Sequence, residues 1–349
     1  MTTNRAPDAT ARLAAEVGAL LGAGRRVAAL RRAMEASAIL LREPGDALRH
    51  SLRNEVFRQF SNAGDSYQAN DFESVDYEQY ELAKDLPLFR GPPLSRKTLA
   101  RGDYFCVMGA AQTFGRLVRQ PWPKRLSDRL DLPVLNLSRG GAGPEFFLDP
   151  RLIELARRSR FVVLQVMSGR SVGCDEYPGG RRITDHGKKT KVHRWDVLES
   201  LWNEDPKLAI NYVKRWNENY LALYRRLRER IDRPITLVWV ADRAPSDWKP
   251  RMLLEKLSWG SFPQLVGRQL HADVAALFDD HLELVTQPSR EKPLSRSTGE
   301  PCPYFDAGKT LHAEFHYYPS TENHAQLADA LVPWALGVLE PAPGHAIGL

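Results

Sequence analysis

Residues 104–110, YFCVMGA, form a short apolar run that is broken by Gly109 and followed by a helix-like stretch. Four later runs have the same character: PVLNLSRGGAG at 133–143, FVVLQVMSG at 161–169, ITLVWVAD at 235–242 and HLELVT at 281–286. Continuous apolar strands that alternate with helices are typical of a parallel sheet covered on both faces. The sequence therefore predicts an α/β fold, a three-layer sandwich built around a central, mainly parallel sheet.

The segments around these runs complete the predicted organisation. Helix-like stretches occupy 150–159, about 195–231, about 250–278 and 324–339. Residues 1–60 are rich in Ala, Leu and Arg and carry apolar residues at helical spacing, which predicts a helical N-terminal extension. Residues 61–100 are polar, acidic and Tyr-rich, and we expect an irregular connector there. The α/β domain is assigned to 101–340, and residues 341–349 form a tail.

The composition is that of an ordinary globular protein. Of the 349 residues, 43% are hydrophobic and 26% are charged, values far from those of disordered chains. The formal charge of +6 is a mild bias over this length. It permits an anionic substrate, whereas a nucleic-acid site calls for a concentrated basic stripe. No apolar window is long enough to cross a bilayer. We therefore expect a soluble cytoplasmic protein that binds neither nucleic acid nor membrane.

Cysteine, histidine and glycine patterns predict no disulfide, no metal and no cofactor. The three cysteines, Cys106, Cys174 and Cys302, lie far apart in the chain, which favours a reducing compartment. His186 and His193 are too widely spaced for a helical ligand pair, and no dense carboxylate cluster accompanies them. The phosphate-binding motifs GxxxxGK[ST] and GxGxxG are both absent from the sequence.

Polar residues follow the ends of several predicted strands, which is where parallel sheets bind their ligands. The candidates for substrate binding offer side chains or backbone N–H groups suited to a polar ligand: Gln112, Thr113, Arg116, Asn136, Arg139, Gly141 and Arg170. The candidates for catalysis are Ser168, Glu322 and His324. Two structural alternatives stay open: the glycines serve tight turns only, and the amide side chains tie neighbouring turns together.

Three arginines indicate the class of substrate. Arg116, Arg139 and Arg170 each follow a different strand, and guanidinium groups that converge on one crevice bind carboxylate, sulfate or phosphate in a bidentate manner. We therefore expect a polar, anionic small molecule, with glycan-derived substrates included. In the alternative, all three arginines face solvent or pair with acids such as Glu145.

The order of these motifs resembles that of the SGNH, or GDSL-like, hydrolase superfamily over residues 104–340. Gly109, Thr113 and Gly115 match the first motif of that family, G-D-S-x-T-x-G. Asn136 and Gly141 match the second motif, N-x-G-x-x-G. The resemblance implies a flavodoxin-like three-layer fold and hydrolase or transferase chemistry.

The catalytic positions of that family are only partly kept. His324 matches the histidine of the closing D-x-x-H motif, but Thr321 stands where the family has its aspartate. The nucleophilic serine of the family falls on Ala111, which has no group that can attack a substrate. A serine mechanism needs a hydroxyl, a base and a group that orients the base. The resemblance therefore implies a divergent branch in which the nucleophile is replaced.

Three functions are consistent with this pattern. In the one that we favour, a group is transferred directly: His324, with an ordinary pKa of about 6.5, takes the proton from the attacking hydroxyl or water, and Glu322 orients the imidazole. In the second, an ester hydrolase or O-acyltransferase uses a relocated nucleophile, for which the candidates are Thr113, Ser138, Ser168 and Cys174. In the third, a non-catalytic protein binds a ligand, and its N-terminal helices contact a partner protein or a second copy.

A long basic loop leaves the third predicted strand. Residues 171–194 together with Arg170 contain seven basic residues and three acids. Loops of this length without structure of their own are commonly lids. We expect a mobile basic cover over the site, and an ordinary surface loop is the alternative.

Overall fold

The computed structural model describes residues 5–42, 45–60, 63–173, 182–185, 190–246, 262–287, 289–306, 310–315 and 317–340. The chain divides into two compact units. Unit 1 consists of Met1–Pro93, Phe114–Pro121 and Pro288–Glu322. Unit 2 consists of Leu94–Thr113, Trp122–Gln287 and Asn323–Leu349.

The elements alternate along most of the chain. The helices are α1 Arg5–Gly22, α2 Arg26–Arg42, α3 Asp46–Ser51, α4 Ala63–Asp71, α5 Arg96–Arg101, α6 Ala111–Phe114, α7 Trp122–Leu130, α8 Pro150–Arg158, α9 Arg194–Glu204, α10 Pro206–Arg230, α11 Arg268–Ala275 and α12 Thr321–Leu339. The strands are β1 Tyr80–Glu81, β2 Leu88–Phe89, β3 Phe105–Met108, β4 Val134–Asn136, β5 Val162–Gln165, β6 Arg182–Asp185, β7 Thr190–His193, β8 Ile235–Ala241, β9 Asp280–Val285, β10 Tyr304–Phe305 and β11 Leu311–His312.

Unit 2 is built on the predicted parallel sheet. Its strands lie in the order β4-β3-β5-β8-β9, and every neighbouring pair is parallel. The five apolar runs form these five strands, so the predicted α/β class is confirmed. Strands β3, β5 and β8 are buried along their whole length, as expected for strands covered on both faces. At one edge of the sheet, β9 alternates between half-buried and exposed residues.

Helices cover both faces of this sheet. On one face, Val107, Val163 and Val238 belong to a core that α7 and α12 complete, the latter through Leu327 and Leu331. Because side chains alternate along a strand, the residues next to these valines point to the opposite face. There, Sγ of Cys106 lies 3.7 Å from a carbonyl of α8, and α10 packs against α11. These contacts make the three layers.

Two of the helices on this second face, α8 and α10, begin at aspartate–proline pairs in the sequence. Asp149 accepts the N–H of Arg151 at 2.9 Å, and Asp205 accepts the N–H of Lys207 at 3.0 Å. Proline follows each aspartate as the first residue of α8 and α10. Its fixed φ suits a first helical turn, and the carboxylate satisfies a backbone donor that the helix leaves open.

Unit 1 contains the predicted N-terminal helices. The apolar faces of α1 and α2 form a core with Val56, Phe57 and Phe305. The predicted N-terminal helices are therefore present, and they belong to a unit that also contains Phe114–Pro121 and Pro288–Glu322. The segment 61–100, for which we expected an irregular connector, also contains α4, α5 and an antiparallel pair of strands, β1 and β2.

Several predicted features fall partly or wholly outside the described residues. In the predicted lid at 171–194, residues 174–181 and 186–189 lie outside them, and β6 and β7 pair as an antiparallel hairpin. The tail at 341–349 and residues 250–261 of the helical stretch predicted at about 250–278 also lie outside them. Within the described ranges, no helix combines the length and the apolar character that crossing a membrane requires.

Candidate functional site

The strand order places a topological switch point between β3 and β5. From β3 the chain passes to β4 on one side of the sheet and then to β5 on the other. Open α/β sheets bind their ligands beyond the carboxyl ends of the strands at such a point. The predicted site residues Gln112, Asn136 and Ser168 come at or just after the ends of β3, β4 and β5. The fold therefore brings three of the predicted strand ends to one edge.

Gln165, the last residue of β5, ties this strand to the turn that follows β3. Its Oε1 accepts a hydrogen bond from the backbone N–H of Ala110 at 2.9 Å and another from Oγ1 of Thr113 at 2.7 Å. The side chain is fully buried. A flipped amide would set its NH2 group against the N–H of Ala110, so the two contacts assign its orientation. The Nε2 group therefore points away from these contacts as a hydrogen-bond donor.

Gly109 leaves the space that these two side chains occupy. A Cβ atom at this position would lie 2.5 Å from Oε1 of Gln165 and 2.6 Å from Oγ1 of Thr113. Both distances are shorter than real Cβ contacts. The glycine that breaks the first apolar run is required because the side chains of Gln165 and Thr113 cross directly over it.

Three buried polar side chains around the switch point have hydrogen-bonding capacity that the described residues do not use. They are Gln112, through both atoms of its amide, Ser138, through its hydroxyl, and Gln165, through Nε2. Their exposed fractions are 4%, 0% and 0%. Because buried polar groups are nearly always hydrogen-bonded, these side chains are the strongest candidates for contact with a ligand. Gln112, Ser138 and Gln165 are called the switch-point cluster below.

Gln165 points to the same face of the sheet as Val107 and Val163. Val163 in β5 lies opposite Val107 of β3. Side chains alternate along a strand, so Gln165, two positions after Val163, points to that face again. This is the face that α7 and α12 cover. Ser138 follows the end of β4, the neighbour of β3 on its other side.

Two tyrosines of α10 hold the main chain that follows Gln165. The hydroxyl of Tyr220 donates to the carbonyl of Met167 at 2.6 Å. The hydroxyl of Tyr224 donates to the carbonyl of Gln165 at 3.0 Å and accepts the N–H of Met167 at 2.9 Å. Burial raises the pKa of both phenols, which therefore stay neutral. The end of β5 is fixed by these contacts from the opposite face of the sheet.

His324 does not have the contacts of the predicted general base. It is 1% exposed, and its Nδ1 accepts the backbone N–H of Trp122 at 3.1 Å. A neutral imidazole has one donor and one acceptor nitrogen, so this contact assigns the proton to Nε2. A base needs its acceptor nitrogen for the substrate, and in His324 the start of α7 already occupies it. The ring joins α12 to α7, which corrects the predicted catalytic role.

Glu322 does not orient this ring. Both residues lie in α12 two positions apart, where side chains project to different sides of a helix. Glu322 is exposed, whereas His324 is buried. A carboxylate also orients histidine by accepting the hydrogen of Nδ1, and here Nδ1 is itself the acceptor. The predicted pair is therefore not formed.

Ser168 caps the short 3-10 helix Gly169–Ser171. Its Oγ accepts the backbone N–H of Arg170 at 3.3 Å, and the residue is 5% exposed. Arg170 is half-buried. The structure thus gives Ser168 a capping role and places Arg170 just after the end of β5.

The predicted substrate residues that follow β4 are used by their own turn. Oδ1 of Asn136 accepts the N–H of Ser138 at 3.1 Å. The guanidinium of Arg139 lies 5.0 Å from the ring centroid of Phe146. Gly141 is exposed and has a positive φ of 76°, which glycine adopts at little cost. These contacts agree with the structural alternative that the sequence left open.

Arg116, which we predicted to bind substrate, lies in the interior of unit 1. It is 2% exposed and forms a bidentate ion pair with Asp71, at 2.7 and 3.0 Å. It also donates to the hydroxyl of Tyr318 at 2.9 Å and to the carbonyl of Phe305. A guanidinium bound in this way is not accessible to a ligand, so its predicted role in substrate binding is corrected.

Tyrosine rings surround this ion pair. Cζ of Arg116 lies 4.3 Å from the ring centroid of Tyr67, 5.2 Å from that of Tyr318 and 5.6 Å from that of Tyr304. Burial opposes the charge on the guanidinium, but the carboxylate of Asp71 outweighs this and keeps the pKa of Arg116 above its ordinary value. The pair is a structural centre of unit 1.

Sequence reasoning missed Gln165 and named Ser138 only as an alternative nucleophile. A signal for Gln165 was present, because it is the one polar residue within FVVLQVM at 161–167. A polar residue in a strand that is buried on both faces needs a specific partner. Nothing comparable marks Ser138, which stands among other small and polar residues in its turn.

Metal and thiol chemistry are not apparent in the part of the chain that the structure describes. It contains no group of three or more His, Cys, Asp or Glu residues that could hold a metal ion. Cys106 and Cys302 are buried free thiols. Burial raises the pKa of both, which disfavours the reactive thiolate.

A protein-family model matches part of the chain. Residues 66–177 match the model of a domain of unknown function, DUF6473. No curated protein matches the chain significantly. The match begins in unit 1 and extends through β3, β4 and β5, so it includes all three residues of the switch-point cluster.

Three solved hydrolase structures are similar to this chain at low identity. A carbohydrate esterase family 2 enzyme with a carbohydrate binding domain, from Corynascus thermopiles (Myceliophthora fergusii), is 9% identical with a TM-score of 0.34, over 74% of this chain and 70% of its own. A lipase from a goat rumen metagenome is 14% identical with a TM-score of 0.34, over 68% and 99%. A possible lipase from Chitinophaga pinensis is 15% identical with a TM-score of 0.35, over 67% and 99%.

Proposed function

We propose that the switch-point cluster binds a small, uncharged ligand rich in hydroxyl groups, such as a sugar derived from a glycan. We further propose that the protein recognises this ligand without forming a covalent serine intermediate. The observation that carries the proposal is the unused hydrogen-bonding capacity of Gln112, Ser138 and Gln165 at adjacent strand ends. Together these side chains offer both donors and acceptors, and a sugar hydroxyl can meet either kind.

The neutrality of the cluster supports an uncharged ligand. It consists of two carboxamides and one hydroxyl, none of which ionises. An ion buried among such groups loses its hydration without gaining a charged partner, whereas a hydroxyl can satisfy each of them. The Nε2 group of Gln165 can only donate, so the ligand must present an oxygen acceptor to it. The amide of Gln112 can exchange two hydrogen bonds with neighbouring hydroxyls.

The contacts of the candidate nucleophiles favour recognition over acyl transfer. Ser138 is fully buried, and Ser168 caps a short helix. Within the described ranges neither hydroxyl contacts a histidine, and Nδ1 of His324 is bonded to the backbone of Trp122. A relocated serine needs a base within hydrogen-bond reach. At the switch-point cluster, an ester hydrolase with a relocated serine nucleophile therefore has less support than ligand binding.

Sugar binding by the full-length protein tests this proposal. Saturation-transfer NMR with glucose, xylose and N-acetylglucosamine should detect contact, and glucuronate and sulfate serve as charged probes. We expect Gln112→Leu to raise the dissociation constant of the bound sugar at least ~10-fold, because one lost hydrogen bond of about 1.4 kcal/mol corresponds to that factor. Thermal stability should stay the same or rise, because the change removes a buried amide that has no hydrogen-bond partner among the described residues.

A matched control is Gln269→Leu, because Gln269 is exposed on α11 and bonds to Asp273 at 2.8 Å. This variant should bind sugar as the parent does. If only the charged probes bind, the proposal of an uncharged ligand is overturned. Labelling of Ser138 or Ser168 by a fluorophosphonate would replace recognition with ester hydrolysis. Failure of every sugar to bind would contradict the proposal outright.

A further inference from the structure

A cleft lies in unit 2, between α11 and the edge strand β9. Its volume is about 540 Å³. The residues that line it include Ala244, Arg268, His271, Phe278, His281 and Glu283. Arg268 and His271 are three positions apart on α11 and therefore share one face of that helix. The described residues that line this cleft include no serine, threonine or cysteine, so they offer no nucleophilic side chain of those kinds.

His271 and Glu283 form a histidine–carboxylate pair in this cleft. Nδ1 of His271 lies 3.3 Å from Oε1 of Glu283, and the two side chains are 5% and 41% exposed. The imidazole meets the ring of Trp239 edge-on, with the centroids 5.0 Å apart. These contacts fix the ring, and a hydrogen on Nδ1 directed at the carboxylate leaves Nε2 as the acceptor. This tautomer is the opposite of the one assigned to His324.

Several charges act on this imidazole. Burial lowers the pKa of His271, the carboxylate of Glu283 opposes this, and His281, whose ring centroid lies 6.3 Å away, lowers the pKa further. The other charged residues among the described lining are Arg268, Asp279 and Asp280. A neutral imidazole held by a carboxylate is the form in which histidine accepts a proton.

We propose that His271 is a catalytic general base that activates water for the hydrolysis of a small carboxylic ester bound in this cleft, with Glu283 as the positioning residue. Water is the nucleophile because no hydroxyl or thiol side chain lines the described part of the cleft. Arg268, on the same face of α11 as His271, supplies the positive charge that suits the single negative charge developing on a carbonyl oxygen. This activity does not depend on sugar binding at the switch-point cluster.

The reaction is balanced with water and the ester alone. Nε2 of His271 takes a proton from water as the water oxygen bonds to the carbonyl carbon. Glu283 stabilises the imidazolium through the hydrogen on Nδ1. The tetrahedral intermediate then collapses, the bond between carbon and the alkoxy oxygen breaks, and the leaving oxygen takes the proton from Nε2. The products are a carboxylic acid and an alcohol, and the imidazole is neutral again.

Hydrolysis of p-nitrophenyl acetate by the full-length protein tests the base. We expect turnover, and we expect His271→Asn to lower kcat/KM by about 10²–10⁴, the usual contribution of a general base. His50→Asn is the control for the background reactivity of imidazole, because His50 is exposed and lies outside the cleft. The His50→Asn variant should have the same kcat/KM as the parent protein. Added imidazole should restore turnover to His271→Ala above the rate that the same imidazole gives without protein, which separates a lost base from a misfolded protein.

The pH profile tests the role of Glu283. The rate should rise with pH as His271 loses its proton and level off above its pKa. Burial places the midpoint below the pH of about 6.5 that is ordinary for histidine. In Glu283→Gln the midpoint should move to lower pH, because the carboxylate that raises the pKa is gone. An unchanged midpoint would overturn the positioning role. Equal rates in the parent and in His271→Asn, or no turnover by the parent, would overturn the proposal.

Discussion

Replacement of Asp71 by asparagine is expected to lower the free energy of unfolding of unit 1 by about 3–5 kcal/mol, the cost of leaving a buried charge without its partner. Asp71 is 1% exposed and Arg116 is 2% exposed. Asparagine keeps the shape of the side chain but removes the charge that lies 2.7 Å from Nε of Arg116. The guanidinium would then remain among tyrosine rings with no carboxylate to balance it.

The loss of stability should extend beyond this ion pair, because Asp71 also contacts other parts of unit 1. Its Oδ2 also accepts the hydroxyl of Tyr77 at 2.9 Å. That hydroxyl in turn accepts the backbone N–H of Leu117 at 2.9 Å. Leu117 and Arg116 both lie in Phe114–Pro121, the short segment that belongs to unit 1 although the chain on either side of it belongs to unit 2. One carboxylate thus connects α4 to this segment.

Hydrogen exchange read by mass spectrometry measures the effect, and peptides from α1, α2 and α4 should lose protection in Asp71→Asn. Tryptophan fluorescence reports on unit 2 instead of unit 1, because all eight tryptophans fall in the ranges of unit 2. The double variant Asp71→Leu with Arg116→Met should recover much of the loss, because it removes both charges. Asp46→Asn is the matched control, since its partner Arg49 is a surface contact. Protection that survives in Asp71→Asn would contradict a structural ion pair.

The fold could be predicted from the sequence because its strands are buried on both faces. Such strands must be apolar at every position, and this gives continuous runs such as FVVLQVM at 161–167 that differ plainly from the helical spacing around them. The structure of residues 61–100 was harder to predict from the sequence. Its short strands and α4 are stabilised by contacts with distant residues of unit 1, such as Arg116, and no local pattern records those contacts.

The position of the candidate site could be predicted, but most of its contacts could not. A parallel sheet gathers its strand ends at one edge whatever side chains they carry, so Gln112 and Ser138 fall there by topology. The tautomer of His324 depends on the backbone N–H of Trp122, which is 202 residues away in the chain. No local pattern shows that this nitrogen is already occupied.

Arg116 and Gln165 show when a sequence does and does not reveal the contacts of a polar residue. An arginine a few residues after a strand has the same appearance in a sequence whether it faces a ligand or is buried against an acid, and the acid here is 45 residues earlier in the chain. Gln165 shows the reverse, since a polar residue within a buried strand does signal a specific partner. Polar residues inside apolar runs therefore carried more information than the charged residues that follow them.

Substitution of Gly109 by alanine is expected to lower the free energy of unfolding of unit 2 by about 2–4 kcal/mol, since overpacking and an unsatisfied buried group each cost roughly 1–3 kcal/mol. The new methyl group would displace the amide of Gln165, which would leave the N–H of Ala110 without its acceptor. Urea unfolding followed by tryptophan fluorescence measures the loss. Sugar binding at the switch-point cluster should be lost as well, because Nε2 of Gln165 moves with the amide.

Two further variants separate steric crowding from backbone conformation at Gly109. Gly337→Ala is the control, because Gly337 is exposed in α12 with open space around it, and helix propensity predicts a gain of about 0.5–1 kcal/mol. The φ of Gly109 lies outside the left-handed region, so alanine fits its backbone. The double variant Gly109→Ala with Gln165→Ala should therefore regain part of the stability but none of the binding. If it regains no stability, the glycine serves the backbone, and the side chain of Gln165 is not what excludes a methyl group there.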